Sequence, residues 1–232
     1  MVYFIGAGPG DKELITVKGQ KLLSEADCII YAGSLINHEL LDYARSDCEF
    51  YDSAKMTLEE VIEIILKNEK LSLATARLHT GDPSLYGAIR EQIDILAGRN
   101  IPYEIIPGVS SFAGAAAVLG AEFTLPGISQ TLILTRMEGR TPVPERENIS
   151  RLAKIQASMA IFLSGSMLPD LSAKLMEGGY PKDTPAAIVY KATWPDEKII
   201  RTTIEGLSEA GKKSNISKTA IILIGNFLKG KY

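Results

Sequence analysis

Short apolar runs alternate along the first half of the chain with longer stretches in which apolar residues recur at helical spacing. The predicted strands are Val2–Ile5, Cys28–Tyr31, Leu71–Ala76 and Tyr103–Ile106, and the predicted helices are Thr16–Ala26, Leu58–Asn68, Leu85–Gly98 and Ser110–Leu119. Thr16 is suited to cap the first helix, and Thr57 with Glu60 is suited to form a capping box for the second. This alternation predicts an α/β fold with a largely parallel sheet.

The pattern restarts after the segment Gly120–Gly127. The strands predicted beyond it are Thr131–Thr135, Met159–Leu163, Ala186–Tyr190, Lys198–Thr203 and Thr219–Ile224. The strands on either side of Trp194–Glu197 are too close for a helical crossover, so we predict an antiparallel hairpin there. The chain is therefore expected to form two α/β domains, residues 1–123 and residues 124–232, with a mixed sheet in the second.

The composition, 46% hydrophobic and 23% charged among 232 residues, is that of a globular protein. The net charge of -3 and the lack of a basic block argue against nucleic acid as a partner. No apolar run approaches the roughly 20 residues that span a bilayer, and the N-terminus lacks a secretory leader, so no membrane partner is expected. Two cysteines, Cys28 and Cys48, argue against a disulfide framework and favour a cytoplasmic location.

The glycine-rich loop Gly6–Asp11 lies between the first strand and the first helix, where a ligand can approach the backbone closely. Dinucleotide binding fits this loop badly, because Asp11 stands where the fingerprint has glycine and Pro9 has no backbone N–H. The acidic residue that would bind a ribose is also missing after the second strand, which ends Tyr31-Ala32-Gly33. A tight turn without any ligand remains open on this loop alone.

Two more polar loops follow strands of the same predicted sheet, His79–Ser84 and Pro107–Ser111. Gly81 permits close approach, Asp82 accepts hydrogen bonds, and the serines offer hydroxyl and N–H groups at a helix start. Turn formation and helix capping are the alternative interpretation of each loop alone. Because ligands bind at the carboxyl ends of parallel strands, we expect the three loops to converge on one pocket.

Other chemistries lack their sequence patterns. His38 and His79 are the only histidines, and neither belongs to a zinc-binding arrangement, so no metal held by the protein is expected. The sequence has no G-x-S-x-G elbow and no G-x-x-x-x-G-K-[ST] loop, which argues against a serine hydrolase and a P-loop NTPase. His79 itself is more simply explained as a hydrogen-bonded loop residue than as a catalytic base.

Three segments of the second half also follow predicted strands. Thr135–Pro142 carries Arg136 and Arg140, whose guanidinium groups suit carboxylates, although a solvated loop explains these residues equally well. Phe162–Ser166 and Tyr190–Pro195 offer backbone groups and apolar walls to a flat ligand.

Taken in order, Gly6–Asp11, Gly81–Pro83 and Pro107–Ser111 resemble the loops of the tetrapyrrole methylases, which take a methyl group from S-adenosylmethionine. The restart in the second half fits their two-domain plan, so the resemblance covers essentially the whole chain. Further segments resemble the branch of that family that methylates C11 of precorrin-4 in cobalamin synthesis: Tyr31–Leu35, Arg77–Ser84, Ser129–Thr131, Arg136–Pro144 and Trp194–Glu197. Lys191 departs from the pattern, because many relatives are expected to have arginine there.

The resemblance implies that S-adenosylmethionine binds in a cleft between the two domains and leaves as S-adenosylhomocysteine. By motif position, the residues expected to contact it are Pro9, Gly81, Asp82, Leu85, Ser110, Ser111, Leu163 and Ala192. The tetrapyrrole is expected to border Gly8 and Gly10, and we infer that Arg136 and Arg140 bind its acetate or propionate groups. The family also implies a homodimer, and any cobalt would arrive inside the substrate.

Methyl transfer from a sulfonium to an electron-rich ring carbon needs alignment of the reactants more than a nucleophilic side chain, so no catalytic residue is assigned. Two alternatives stay open. One is a related methylase that acts on another corrin precursor, on uroporphyrinogen or on the modified histidine of an elongation factor. The other is a ligand-binding module without activity on the same fold. The segments Arg136–Pro144 and Trp194–Glu197 favour precorrin-4 as the substrate.

Overall fold

The computed structural model describes residues 1–229 and divides the chain into two compact units, Met1–Ser111 and a second that begins at Phe112. The division falls earlier than the boundary predicted after residue 123. Helix α4 (Ser111–Leu119) accounts for the difference, because its Ala115 and Leu119 pack into an apolar cluster made by strands of the second unit.

The first unit is built around a five-stranded sheet in which every pairing is parallel, in the order β3-β2-β4-β1-β5. Its strands are β1 (Val2–Gly6), β2 (Cys28–Tyr31), β3 (Glu49–Asp52), β4 (Thr75–His79) and β5 (Tyr103–Ile106), and its helices are α1 (Val17–Glu25), α2 (Leu58–Lys70) and α3 (Arg90–Gly98). Apolar side chains cover both faces of the sheet, Phe4 and Ile30 on one and Ile5 and Leu78 on the other. The predicted α/β class is confirmed.

The predicted helix starts are confirmed in α1 and α2. The Thr16 hydroxyl accepts the Gly19 N–H at 3.1 Å. Thr57 and Glu60 form a reciprocal capping box, with 3.3 Å from the Glu60 N–H to the Thr57 hydroxyl and 2.7 Å from the Thr57 N–H to the Glu60 carboxylate. Local side-chain chemistry therefore determines where these two helices begin.

Three elements of the first unit differ from the prediction. The strand predicted at Leu71–Ala76 is β4, which starts later because α2 continues to Lys70 and Ser72 then adopts a left-handed turn, with φ 57°. The helix predicted at Leu85–Gly98 starts at Arg90, because left-handed residues interrupt the segment before it. Strand β3 was not predicted, since three of its four side chains are exposed and give no apolar run.

The second unit holds a mixed five-stranded sheet in the order β6-β7-β10-β8-β9. Its strands are β6 (Leu132–Arg136), β7 (Ser158–Phe162), β8 (Pro185–Tyr190), β9 (Lys198–Thr203) and β10 (Ala220–Ile224), and besides α4 its helices are α5 (Ile149–Ala153), α6 (Leu168–Glu177) and α7 (Leu207–Lys213). The β8–β9 pair is the predicted antiparallel hairpin, so that prediction is confirmed.

Strand direction in this sheet brings three chain segments to one edge. β6 and β7 are parallel, and β10 runs antiparallel to both β7 and β8. β6, β7 and β8 therefore point the same way, and the loops that follow them leave from the same edge of the sheet. Within residues 1–229, no helix is both long and apolar enough to cross a bilayer.

Candidate functional site

The three loops predicted to converge follow β1, β4 and β5, which are neighbours in the first sheet. They meet at Gly6, Gly81 and Gly108, here called the glycine junction. A methyl group on Gly6 would lie 2.5 Å from the Gly108 Cα and 2.7 Å from the Gly81 carbonyl oxygen. A methyl group on Gly108 would lie 2.2 Å from that same oxygen. The loops touch backbone to backbone, and no side chain fits between them.

Backbone hydrogen bonds join the first loop to the second. The Ala7 N–H donates to the His79 carbonyl at 2.8 Å. Gly8 and Gly81 form an isolated antiparallel bridge, with N–H to oxygen distances of 3.3 and 2.9 Å. Gly8, expected to border the substrate, thus commits its N–H to Gly81, whereas Pro9 and Gly10 lie buried beside it. The loops therefore meet as predicted, and a ligand pocket at their meeting point stays a prediction.

Asp82 joins the second loop to the third. One carboxylate oxygen accepts the Gly108 N–H at 2.8 Å, and the other accepts the Ser84 N–H at 2.8 Å and the Ser84 hydroxyl. Partial burial raises the pKa of Asp82, but these three hydrogen bonds outweigh burial, so the pKa lies below its ordinary value. The carboxylate therefore stays ionised at neutral pH and carries lone pairs beyond those that the protein uses.

The third loop places its serines against Gly81. That glycine has φ +65°, and its missing Cβ would lie 3.4 Å from the Ser110 Cα and 3.6 Å from the Ser111 nitrogen. Ser110 is buried, and Ser111 opens helix α4. Leu85 lies one turn further along the second loop, where its N–H donates to the Asp82 carbonyl at 3.2 Å. The first unit thus gathers most of its predicted cofactor residues around the glycine junction.

A buried polar pair, Arg77 and His79, lies in the strand that leads into the second loop. Arg77 donates to the Ile30 carbonyl at 3.3 Å, and burial lowers its pKa to about 10. Burial lowers the pKa of His79 to about 3; the nearby charge of Arg77 adds to this effect, and a hydrogen bond to the backbone of Gly87 opposes it. His79 packs against Phe4, with ring centroids 5.8 Å apart. The imidazole is therefore neutral at physiological pH. Its hydrogen bond to the backbone of Gly87 links it to the segment that follows β4.

The loop after β7 holds Leu163 in a left-handed conformation, with φ 53°, and leaves 67% of this residue exposed. An exposed leucine with positive φ is strained, and such strain persists where neighbouring contacts fix the backbone. The fully buried Ser164 provides them: its hydroxyl donates to the Phe162 carbonyl at 2.6 Å and accepts the Met137 N–H at 2.9 Å. Ser164 thereby ties the loop after β7 to the loop after β6.

The loop after β8 is a tight turn around Ala192, which is buried between left-handed Lys191 and Thr193, with φ 48° and 68°. The Lys191 ammonium pairs with Asp196 at 2.7 Å and lies 5.0 Å from the ring centroid of Trp194. The hydrogen bond from Lys191 to Asp196 raises the pKa of Lys191 and lowers the pKa of Asp196. Lys191 thus has a defined role in ordering the turn.

Arg136 and Arg140, expected to bind substrate carboxylates, have different surroundings. Arg136 ends β6 half-buried, and its guanidinium donates to the carbonyls of Met137, Thr141 and Pro142. Arg140 lies exposed in the loop that those carbonyls belong to. Leu163, Ala192 and the two arginines therefore share one sheet edge but belong to three different loops.

Two residues that order these loops were missed by sequence reasoning. Ser84 was recognisable in principle, because an aspartate followed two residues later by serine is typical of an Asx turn. Ser164 gave no signal, since the Met137 N–H that it accepts comes from the loop after a different strand. In the part of the chain that the structure describes, no group of three or more His, Cys, Asp or Glu side chains is placed to hold a metal ion.

Comparisons with known proteins agree with this geometry. The family model of the tetrapyrrole (corrin/porphyrin) methylases matches residues 1–208. A cobalt-precorrin-4 C(11)-methyltransferase of Methanocaldococcus jannaschii is 54% identical over 231 residues, covering 100% of this chain and 89% of the relative. A uroporphyrinogen-III C-methyltransferase of the same organism is 34% identical over 232 residues, covering 97% of this chain and 95% of the relative.

Solved structures share the architecture. The X-ray structure of a cobalt precorrin-4 methyltransferase, a cobalamin biosynthetic enzyme, superposes with a TM-score of 0.96 at 47% identity, covering 98% of this chain and 95% of that one. The uroporphyrin-III C-methyltransferase of Thermus thermophilus, solved with S-adenosylhomocysteine, has a TM-score of 0.83 at 24% identity and covers 98% of each chain. The second likeness concerns the fold alone.

Proposed function

Because the chain belongs to the tetrapyrrole (corrin/porphyrin) methylases, we propose that it transfers the methyl group of S-adenosylmethionine to C11 of precorrin-4 or cobalt-precorrin-4 in cobalamin synthesis. The observation that carries the proposal is the 54% identity to a cobalt-precorrin-4 methyltransferase over the whole length of this chain. That match includes the loops after β6 and β8, which sequence reasoning associates with the substrate as well as the cofactor.

The residues present fit S-adenosylmethionine. The glycine junction brings three loops together without intervening side chains, and the backbone of Gly81 lies against the serines of the third loop. We propose that the cofactor contacts Pro9, Gly81, Asp82, Leu85, Ser110 and Ser111 in the first unit, and Leu163 and Ala192 in the second. The exposure of Leu163 in a conformation held by Ser164 supports its inclusion. Asp82 both orders the loops and retains lone pairs for a ligand.

When bound, S-adenosylmethionine supplies an activated methyl group that can move to an electron-rich carbon. The chain's own contribution is to hold the two reactants in line, which can supply about 7–11 kcal/mol of the barrier. We assign no catalytic acid or base. His79, the histidine nearest to these loops, is 6% exposed and neutral, and its place behind the second loop supports a structural role.

For the tetrapyrrole, we propose contacts with Gly8 and Gly10 in the first unit and with the loop that carries Arg136 and Arg140 in the second. The two glycines are buried, and because glycine has no side chain they would contact the substrate through backbone atoms. The positive charge of that loop complements the acetate and propionate groups of the substrate.

A different tetrapyrrole substrate is the second candidate. The 34% identity to a uroporphyrinogen-III methyltransferase favours it over more distant chemistries. The loops after β6 and β8 would then recognise a different arrangement of carboxylates while the first unit kept its role.

One experiment separates the candidates. Titration with S-adenosylhomocysteine tests cofactor binding, and transfer of a tritiated methyl group is then followed with precorrin-4, cobalt-precorrin-4 and uroporphyrinogen III. We expect binding and methylation at C11 of one of the precorrin-4 forms. Methylation of uroporphyrinogen III alone would support the second candidate. Binding without turnover on any of the three would indicate a ligand-binding module and refute the proposed activity.

We also propose that the protein works as a homodimer in the cytoplasm. Cys28 and Cys48 are free buried thiols, which supports a reducing compartment, and burial raises the pKa of Cys28 to about 11. The dimer rests on the family resemblance. Light scattering coupled to size-exclusion chromatography tests it, and a monomer across micromolar concentrations would refute it.

A further inference from the structure

The segment Met137–Pro144, here called the β6–α5 loop, is held at three points by Arg136. One terminal nitrogen, Nη1, donates to the Met137 carbonyl at 3.2 Å and to the Thr141 carbonyl at 3.1 Å. The other, Nη2, donates to the Pro142 carbonyl at 3.0 Å. The guanidinium therefore bridges the start of the loop to its far side, which draws the intervening residues into a compact turn.

The base of this turn is fixed as well. Met137 is 4% exposed, and its N–H donates to the fully buried Ser164. Ser164 in turn donates to the last residue of β7. The loop is thus anchored to the neighbouring strand on one side and closed by Arg136 across its neck.

The tip of the loop consists of Glu138, Gly139 and Arg140, all exposed. Within residues 1–229, no carboxylate lies within ion-pair distance of Arg140, and its side chain donates no hydrogen bond to another residue of that range. All five of its N–H donors are thus available to a ligand, whereas Arg136 has committed three of its five.

We propose that the two arginines have separate roles: Arg136 is a positioning residue that closes the β6–α5 loop, and Arg140 is the residue that binds a carboxylate of the tetrapyrrole. This division rests on the proposed function for its ligand. A planar guanidinium can bridge several carbonyls at once, and a lysine ammonium cannot reproduce that arrangement. Arg136 holds the loop in one conformation. Arg140 on this loop therefore loses less conformational entropy on binding an acetate or propionate group than it would on a flexible loop.

Steady-state kinetics on the full chain tests the division with the variants Arg136→Met, Arg140→Met, Arg136→Lys and the double variant. We expect each methionine substitution to raise the KM for cobalt-precorrin-4 about tenfold, with kcat and S-adenosylhomocysteine affinity nearly unchanged. The double variant should resemble Arg140→Met alone, since Arg136 acts through Arg140. Arg136→Lys should remain impaired.

Two kinetic results would overturn the proposal. A double variant with an increase of about a hundredfold would mean that both arginines contact the substrate independently. Full recovery by Arg136→Lys would mean that the charge at position 136, and not the bridge to three carbonyls, carries the effect.

Limited proteolysis provides a readout that needs no substrate. A glutamate-specific protease can cleave after Glu138, and we expect Arg136→Met to accelerate that cleavage at least about tenfold while Arg140→Met leaves it unchanged. Equal cleavage in all variants would refute the closing role of Arg136, whatever the enzyme methylates. If the wild-type protein methylates none of the three tetrapyrroles, the proposed function fails and the role of Arg140 fails with it, whereas proteolysis still decides the role of Arg136.

Discussion

The two units order their candidate site loops by different means. In the first unit the loops meet at the glycine junction and are joined largely by backbone hydrogen bonds. In the second unit the loops are held by side chains: Ser164 ties two of them together, Arg136 closes one, and Lys191 with Asp196 orders a third. A junction of backbones leaves no room for variation, whereas a loop held by side chains can change its shape one residue at a time. Most of the proposed cofactor contacts lie in the first arrangement, and the loop proposed to bind substrate carboxylates lies in the second.

The sharpest test of this difference is a pair of glycine substitutions. In Gly108→Ala, the new methyl group would lie 2.2 Å from the Gly81 carbonyl oxygen, so the loops must separate. We expect a loss of several kcal/mol in stability or at least a hundredfold loss in S-adenosylhomocysteine affinity. In the matched control, Gly139→Ala, no atom beyond residues 138–140 of the described chain lies within 4 Å of the new methyl group, and both quantities should stay near wild type. Thermal unfolding and calorimetric titration measure them. Equal effects of the two substitutions would remove the distinction between the units.

The loss of the Asp82 carboxylate is expected to give the next largest effect. Asp82→Ala leaves the Gly108 N–H without its partner and removes the contacts to Ser84, and we expect a cost of about 3 kcal/mol shared between stability and cofactor affinity. Titration calorimetry with S-adenosylhomocysteine, together with urea unfolding, separates the two contributions. Unchanged affinity and stability would show that the second and third loops do not depend on this carboxylate.

The buried histidine gives the first unit a specific sensitivity to acid. The pKa of His79 is lowered to about 3 in the folded chain, whereas a histidine in the unfolded chain has a pKa of about 6.5. Between these values the unfolded state binds a proton that the folded state does not, so stability falls as the pH falls below about 6.5. At pH 5 this linkage amounts to about 2 kcal/mol. Urea unfolding of wild type and His79→Phe at pH 7 and pH 5 measures it. The same acid loss in both proteins would contradict a neutral buried imidazole.

The smallest effect is expected from Asp196→Ala in the second unit. Asp196 is 55% exposed, and ion pairs between exposed groups contribute little to stability. We expect a small loss of stability that shrinks further in 0.5 M salt. Thermal unfolding at low and high salt measures this. A loss as large as that of Asp82→Ala would mean that the loop after β8 is as tightly determined as the glycine junction.

Sequence reasoning located the elements whose pattern is local. The strands β2 and β5 have the predicted bounds, and the capping box of Thr57 and Glu60 marks the start of α2. The predicted bounds of β4 lie too close to the N-terminus, because the polar residues Arg77 and His79 interrupt the apolar run at the buried end of the strand. β3 escaped notice because its residues are stabilised by pairing with β2 and not by burial of an apolar run.

The candidate site divides in the same way. The three loops of the first unit were predictable because glycine marks positions where backbones approach each other, and strand order then places those loops together. In the second unit, Leu163, Lys191 and Thr193 adopt left-handed conformations without being glycine, so their residue types gave no warning. The bridge from Arg136 to three carbonyls depends on the folded path of the loop, which spacing alone does not determine.

The strand order of the first sheet also governs when the glycine junction can form during synthesis. β1 leaves the ribosome first, yet its two neighbours are β4 and β5, the last strands of its unit. A nascent chain that ends before Gly108 lacks one of the three backbones of the junction and the N–H that Asp82 accepts. Because such distant pairings form late, the glycine junction is completed only after β5 and the loop that follows it have been made. The first hundred residues alone contain neither, and so lack one of the three backbones that meet there.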